Sequence, residues 1–489
     1  MFFPSALEKE PAVCYHYRIR YKELICLKRT FKLLCGAMSV LFLFSAFSPA
    51  CFAAAETDYT IVDPYAEVDW DTFRQYKANL HTHSTFSDGE FTLPVMVDKY
   101  YNWGYDILAM TDHGVINYGW NLPHNTFPPF CWANHVEGHP LSKKYHTERN
   151  MSDVEYTYYT TGMGRGGRGM VDVTGGIELN MAVVAKTHVN GFFLEKGSYG
   201  EGVWGVENDY YDVVEGIEHD GKEGYTVLNH VGDWLNSGKY PERAHDPVNI
   251  AYLANLFVNN PSCLGMEIVN GPDRVTRRDR ELWDELLQVV LPHGRTIIGF
   301  TNDDSETDAE MGHAFEMFPL SENTFDNVKH AMLTGAFFGC ARCDNSDPDH
   351  PIDGPKGAQE QVPLVKSVTV DQQANTITVT VDDSRPCRSV SWIADGKVIQ
   401  TDTDLENNTA TIDLNDYEDA LGCYVRFTLS SENGVCYSQA YALQYAGRTE
   451  KPIPDEALAK FRTPLGKLLV RFIHTHFFTI IRRLWESRH

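Results

Sequence analysis

Three histidines constrain this chain more than any other feature: His81 and His83 in Leu80-His81-Thr82-His83-Ser84, and His113 in Met110-Thr111-Asp112-His113-Gly114 about one helix later. Side chains alternate faces along an extended segment, so residues i and i+2 point the same way and their rings can share one metal ion. Between the motifs lies a βαβ unit. It has a short strand from Lys77 to His81, a helix capped by Thr92 ahead of Leu93-Pro94 and stopped at Gly104, and a second strand from Asp106 to Thr111. His81, His83, Asp88 and His113 therefore fall where strands give way to loops, the edge at which parallel α/β folds collect their chemistry. A lone His-x-His is more often a surface pair than a ligand set. Four metal-type side chains behind two successive strands point to a metal site.

These motifs resemble those of the PHP family, named for polymerase and histidinol phosphatase domains. The first is His81-Thr82-His83-Ser84 with Ser87-Asp88-Gly89, and the second Thr111-Asp112-His113-Gly114. Later pieces follow in order: Gly176-Ile177-Glu178, His188 in Thr187-His188-Val189-Asn190-Gly191, Asn229-His230, Gly265-Met266-Glu267 and Asn302-Asp303-Asp304, so that the resemblance covers residues 76 to 345. It implies an α/β fold, a distorted (βα)7 barrel, with two or three divalent ions (manganese, zinc or iron) at its strand ends and phosphoester hydrolysis as its reaction. It further implies that His81, His83, Glu178 and Asp304 hold one ion, that Glu178 bridges to a second held by His188 and His230, and that Asp88 and His113 begin a third site. Glu178 and Asp304 are then the catalytic carboxylates. Where the family pattern ends in Asp-x-His, this chain reads Asp304-Ser305-Glu306. Glu306 thus takes the imidazole's place in the third site, a change that favours a hard cation there. Asp303 is the alternative to Asp304 as ligand.

Phosphoester hydrolysis needs charge neutralised on the non-bridging oxygens and a hydroxide formed near neutral pH, and a carboxylate-bridged ion pair provides for both without a serine or cysteine nucleophile. The expected substrate is a small phosphorylated molecule. Arg165 and Arg168, within the glycine-rich run Gly162 to Gly169, are candidates to grip its phosphate, against the alternative of a solvated loop. That run is no P-loop, because no Gly-Lys-Ser or Gly-Lys-Thr ends it. Asp112 is either an orienting partner for a ring nitrogen or a turn residue. Glu267 stays outside the ligand set as a structural or supporting acid.

The formal net charge of -25 is unevenly spread. Residues 1–55 carry seven Lys or Arg against three acids and residues 448–489 nine against four, so the body between them holds the acidic excess and repels nucleic acid. Residues 1–55 read as an export segment, with Lys28, Arg29 and Lys32 ahead of an apolar run and small residues near Ala53 and Ala55, which places the rest outside the cytoplasm. The metal-dependent hydrolase domain occupies 56–361. From 362 to 447 short alternating strands with Asp395-Gly396 and Asn433-Gly434 turns read as a small all-β sandwich. Residues 448–489 form a basic amphipathic tail, suited to an anionic membrane surface or to docking on the protein itself. The function expected is that of an exported metal-dependent phosphoesterase. The alternative is a catalytically weak protein of the same fold that binds a surface polymer through its β-sandwich, and hydrolysis of a non-phosphate bond is a third reading.

Overall fold

The structure, a computed structural model, describes residues 59–124, 149–179, 186–199, 209–271, 276–342, 361–448, 450 and 452–454. The export segment and the amphipathic tail from residue 455 onward lie outside them. No helix among the described residues is long and apolar enough to cross a membrane.

The first half contributes β1 (Tyr59–Val62), β2 (Arg74–Asn79), β3 (Ile107–Leu108), β4 (Val171–Asp172), β5 (Ile177–Leu179), β6 (Val189–Phe192), β7 (Tyr225–Leu228), β8 (Cys263–Asn270), β9 (Ile298–Asn302), β10 (Ala314–Leu320) and β11 (Phe338–Arg342). After residue 361 come β12 (Val365–Asp371), β13 (Thr376–Val381), β14 (Ser389–Ala394), β15 (Lys397–Asp402), β16 (Thr409–Asp413), β17 (Tyr424–Ser430), β18 (Gly434–Tyr437) and β19 (Tyr441–Tyr445). Three sheets result, with β5 to β9 in sequence order in one and β12-β13-β16 in another. The largest runs β1-β19-β17-β18-β11-β10-β2-β3-β4, with β14 and β15 extending it from β17.

The architecture is mixed α/β, and the even strand–helix alternation expected of a (βα)7 barrel holds only in part. Parallel pairing joins β2 to β3, β3 to β4, β7 to β8 and β8 to β9. The last two pairs are separated in sequence by the helices Pro247–Asn259 and Asp279–Val290, as parallel neighbours require. By contrast β5, β6 and β7 pair antiparallel, and β10 pairs antiparallel with both β2 and β11. Two isolated parallel bridges, Thr82 with Ser305 and His113 with Glu178 of β5, connect the two large sheets. Both bridges involve or adjoin the histidine motifs.

The helix Leu93–Asn102 forms as the spacing predicts. Leu93, Met96, Val97, Tyr100 and Tyr101 fall on one buried face, Pro94 sits in the first turn where its missing N–H costs nothing, and Gly104 beyond its end has φ +81°. Thr92 takes the N-cap position in extended conformation but makes no side-chain cap bond. The buried face delivers Tyr100, whose hydroxyl donates to Asp303 Oδ2 at 3.0 Å and lies 2.6 Å from Ser305 Oγ. Packing of this helix thereby fixes the segment that carries the last acidic motif.

In the C-terminal strands the period-2 pattern reads directly as burial. Ile377, Val379 and Val381 of β13 are buried and share one core with Ile412 of β16, Val390 and Trp392 of β14, and Phe427 and Leu429 of β17. Asp395 and Gly396, both at positive φ, close the β14–β15 hairpin as a two-residue turn. These strands also join the earlier segment through the β11–β18 and β1–β19 pairs.

One buried carboxyl gives a pH signature. Asp172, 5% exposed, accepts from Trp120 N (2.8 Å) and Asn117 Nδ2 (3.1 Å), yet burial pushes its pKa up to about 7. The folded state then binds more protons than the unfolded state between the ordinary carboxylate range and pH 7, so stability falls as pH rises through that window, by up to about 4 kcal/mol from this group. Urea midpoints should be lower at pH 7.5 than at pH 5, and Asp172→Asn should flatten that slope. A slope unchanged in the variant would remove Asp172 as its cause.

Candidate metal centre

His81 and His83 flank the Thr82–Ser305 bridge, and both present Nε2 to the same point, the two atoms lying 3.2 Å apart. Thr82 points the other way and bonds Tyr100, as period-2 geometry requires. The outer nitrogen of each ring is occupied. His81 Nδ1 lies 2.7 Å from Glu267 Oε1, and His83 Nδ1 lies 3.2 Å from Ser87 Oγ, whose hydroxyl donates to Asp112 Oδ1 at 2.8 Å. An Nδ1–H that donates outward leaves Nε2 with its lone pair facing inward, the tautomer a metal ligand needs.

Glu178, on β5 and 1% exposed, stands at the convergence. Its Oε2 lies 3.3 Å from His81 Nε2, 3.2 Å from His83 Nε2 and 3.1 Å from His113 Nδ1. Its Oε1 faces the other side, 3.1 Å from His188 Nδ1 and 3.4 Å from His230 Nε2, and receives a 2.8 Å bond from Asn229 Nδ2. Asp304 Oδ1 completes the first side, 3.0 Å from His81 Nε2 and 3.1 Å from His83 Nε2. Three sets of ligand atoms each fall within 4.8 Å of one another: His81, His83, Glu178 and Asp304; His83, Asp88 and His113; and His113, Glu178 and His188. His230, expected beside His188, stacks edge-on against it at a centroid distance of 4.8 Å.

The backbone is bent to make this possible. Asp304 has φ +48° and His230 φ +29°, left-handed values that non-glycine residues adopt at a cost of about 1–3 kcal/mol and that concentrate at functional sites. The left-handed turn at 304 sends neighbouring carboxylates in opposite directions. Asp304 faces the histidines, while Asp303 accepts from the amides of Gly312, His313 and Ala314 at 2.7, 2.7 and 3.0 Å. Of the two, Asp304 is the one that faces the histidines.

Burial alone would raise the Glu178 carboxyl, but the imidazoles of His113, His81 and His188 hold it well below the usual carboxylate range. Burial likewise opposes protonation of His81 and His83, and the surrounding carboxylates outweigh it, raising both. His230 is pushed up to about 9, with Glu178 prevailing over burial, whereas burial prevails at His188 and lowers it. Ionised carboxylates and imidazoles in this number fit divalent cations, which would replace the protons. The buried Nδ1 of His113 makes no hydrogen bond among the described residues, a further mark of a ligand position.

Two groups of expected site residues fall outside the three ligand sets. Arg165 and Arg168 do not reach the cluster. Arg165 Nη2 lies 2.7 Å and Arg168 Nε 2.6 Å from Oδ1 of the buried Asp106, at the amino end of β3, whereas the histidines follow the carboxyl ends of the strands. A buried carboxylate needs paired donors, and these guanidiniums supply them. Glu306 belongs to none of the three ligand sets. Its amide donates to Glu310 Oε2 (2.9 Å) and its carbonyl accepts from Glu90 N (2.8 Å).

Glu267, kept outside the ligand set as a structural or supporting acid, sits directly behind the ligands. Fully buried on β8, it accepts from His81 Nδ1 and Asn302 Nδ2 through Oε1, and from His230 N and Asn270 Nδ2 through Oε2. One carboxylate thus positions two expected ligands from opposite sides of Glu178. Glu267→Gln should weaken metal affinity about 10–100-fold while leaving Glu178 and the fold in place. Metal titration of the variant checks this, and unchanged affinity would make Glu267 merely structural.

No family model matches the chain, and no curated protein does. Among solved structures the chain is similar to a two-domain protein containing a predicted PHP-like metal-dependent phosphoesterase from Bacteroides vulgatus ATCC 8482, at 15% sequence identity and a TM-score of 0.37, over 78% of this chain and 98% of that one. At that similarity the neighbour carries no functional argument for this chain.

Proposed function

We propose that this chain is a metal-dependent phosphoesterase acting on small phosphorylated substrates outside the cytoplasm. The carrying observation is Glu178, with Oε2 toward His81, His83 and His113 and Oε1 toward His188 and His230. The resemblance of its motifs to the PHP family supports phosphoester hydrolysis over hydrolysis of a non-phosphate bond. We also read β2, β3 and β5 to β9, linked by the His113–Glu178 and Thr82–Ser305 bridges, as the distorted barrel.

His81, His83, Glu178 and Asp304 would hold one divalent ion, Glu178, His188 and His230 a second, and Asp88 with His113 part of a third. Bound there, such ions supply Lewis acidity to a phosphoryl group and lower the pKa of water. The protein's part is to hold the donors still. Asn229 fixes one oxygen of Glu178, Glu267 fixes His81 and the His230 backbone, and Asp112 fixes His83 through Ser87. Access is one-sided: the side chains of His81 and His83 are at most 2% exposed, while those of Asp88, Asp304 and His188 are 33%, 23% and 20% exposed. A small anionic substrate approaches from that open side, and the acidic body discourages nucleic acid.

The test is hydrolysis of p-nitrophenyl phosphate and bis(p-nitrophenyl) phosphate by full-length protein loaded separately with manganese, zinc and iron. Turnover that a chelator abolishes and metal restores is expected. Loaded protein that cleaves no phosphoester in a broad panel contradicts the proposal.

A further inference from the structure

Cys340 on β11 and Cys436 on β18 are register partners in adjacent antiparallel strands, and both are fully buried. Their place in the ladder can be read from the amides. Cys340 N donates to Thr301 Oγ1 at 3.0 Å, whose hydroxyl in turn donates to Phe315 O on β10 at 2.8 Å. Two residues on, Arg342 N donates to His313 O, next to β10, at 2.8 Å. The amides of 340 and 342 therefore face β10, away from β18. Across the pair, Ser438 N donates to Phe427 O on β17, so the amides of 436 and 438 face away from β11. Cys340 and Cys436 consequently form a non-hydrogen-bonded pair, the kind in which facing Cα atoms stand about 4.5 Å apart and side chains are closest. That spacing falls within the range of about 4.4–6.8 Å a disulfide requires.

Both are free thiols, and burial first and then the neighbouring Cys340 thiol push the Cys436 thiol well above its usual range. Cys387 is the other thiol near Cys436, but its Sγ donates to Ser389 O at 3.4 Å. We propose that Cys340 and Cys436 are joined by a disulfide when the chain folds under oxidising conditions, linking the segment that carries the metal ligands to the C-terminal strands. The inference is independent of the phosphoesterase reading. The step is exchange with a disulfide donor: the donor's S–S bond breaks, the Cys340–Cys436 bond forms through a mixed disulfide, and two electrons and two protons leave on the donor as two thiols. Because both sulfurs are buried in the folded chain, exchange precedes closure of β11 on β18.

Full-length protein refolded in glutathione redox buffer, alkylated in denaturant without reductant and digested, should yield one linked peptide pair containing Cys340 and Cys436 that separates on reduction. Its thermal midpoint should fall in reductant, and that of Cys340→Ala/Cys436→Ala should not respond. Recovery of both residues as alkylated thiols, or of Cys436 linked to Cys387, overturns the proposal.

Discussion

Glu178→Gln is expected to lose hydrolysis by about 10³-fold or more and to halve the metal content at least, with the fold retained. The substitution is nearly isosteric, so the buried space is filled as before. It removes the negative charge between His81, His83 and His113 on one side and His188 and His230 on the other, and turns one oxygen into an N–H donor facing nitrogen lone pairs. Asn229 Nδ2 can still donate to the remaining oxygen. Activity, elemental analysis and circular dichroism on one preparation separate loss of metal from loss of structure. Wild-type turnover in the variant would exclude the bridge.

The second large effect is a contrast between neighbours. Asp303→Ala removes the acceptor of three backbone amides and of the Tyr100 and Tyr105 hydroxyls, all buried. Stranding that many donors is expected to destabilise the fold by about 3–5 kcal/mol, and metal is then lost through unfolding. Asp304→Ala should instead lose metal with the urea midpoint nearly unchanged, because its carboxylate touches chiefly ligands and Asn270. Equal stabilities for the two variants would refute this division of labour.

The histidine motifs were legible because their information is local. His81 and His83 share a face by strand periodicity, and Leu93-Pro94 with Gly104 bounds a helix wherever it packs. The β12, β13, β14, β16 and β17 strands were legible for the same reason, through alternation and the Asp395-Gly396 turn. What escaped depends on distant partners. Choosing Asp304 over Asp303 requires a left-handed turn and the amides of residues 312–314, none encoded in the dipeptide. Arg165 and Arg168 read as a flexible phosphate grip because their partner, Asp106, lies some sixty residues earlier. The antiparallel run β5-β6-β7 likewise interrupts a βα rhythm that the motifs alone suggested. Glu267 was open as either a structural or a supporting acid, and only β8 set beside His81 shows which ring it holds.

The most direct measurement is anomalous diffraction from crystals of the full-length protein grown with manganese, collected on both sides of the metal absorption edge. Two peaks are expected to flank the Glu178 carboxylate, one bounded by His81, His83 and Asp304 and the other by His188 and His230. A single peak remote from Glu178, or none at saturating manganese, would contradict the bridged metal centre.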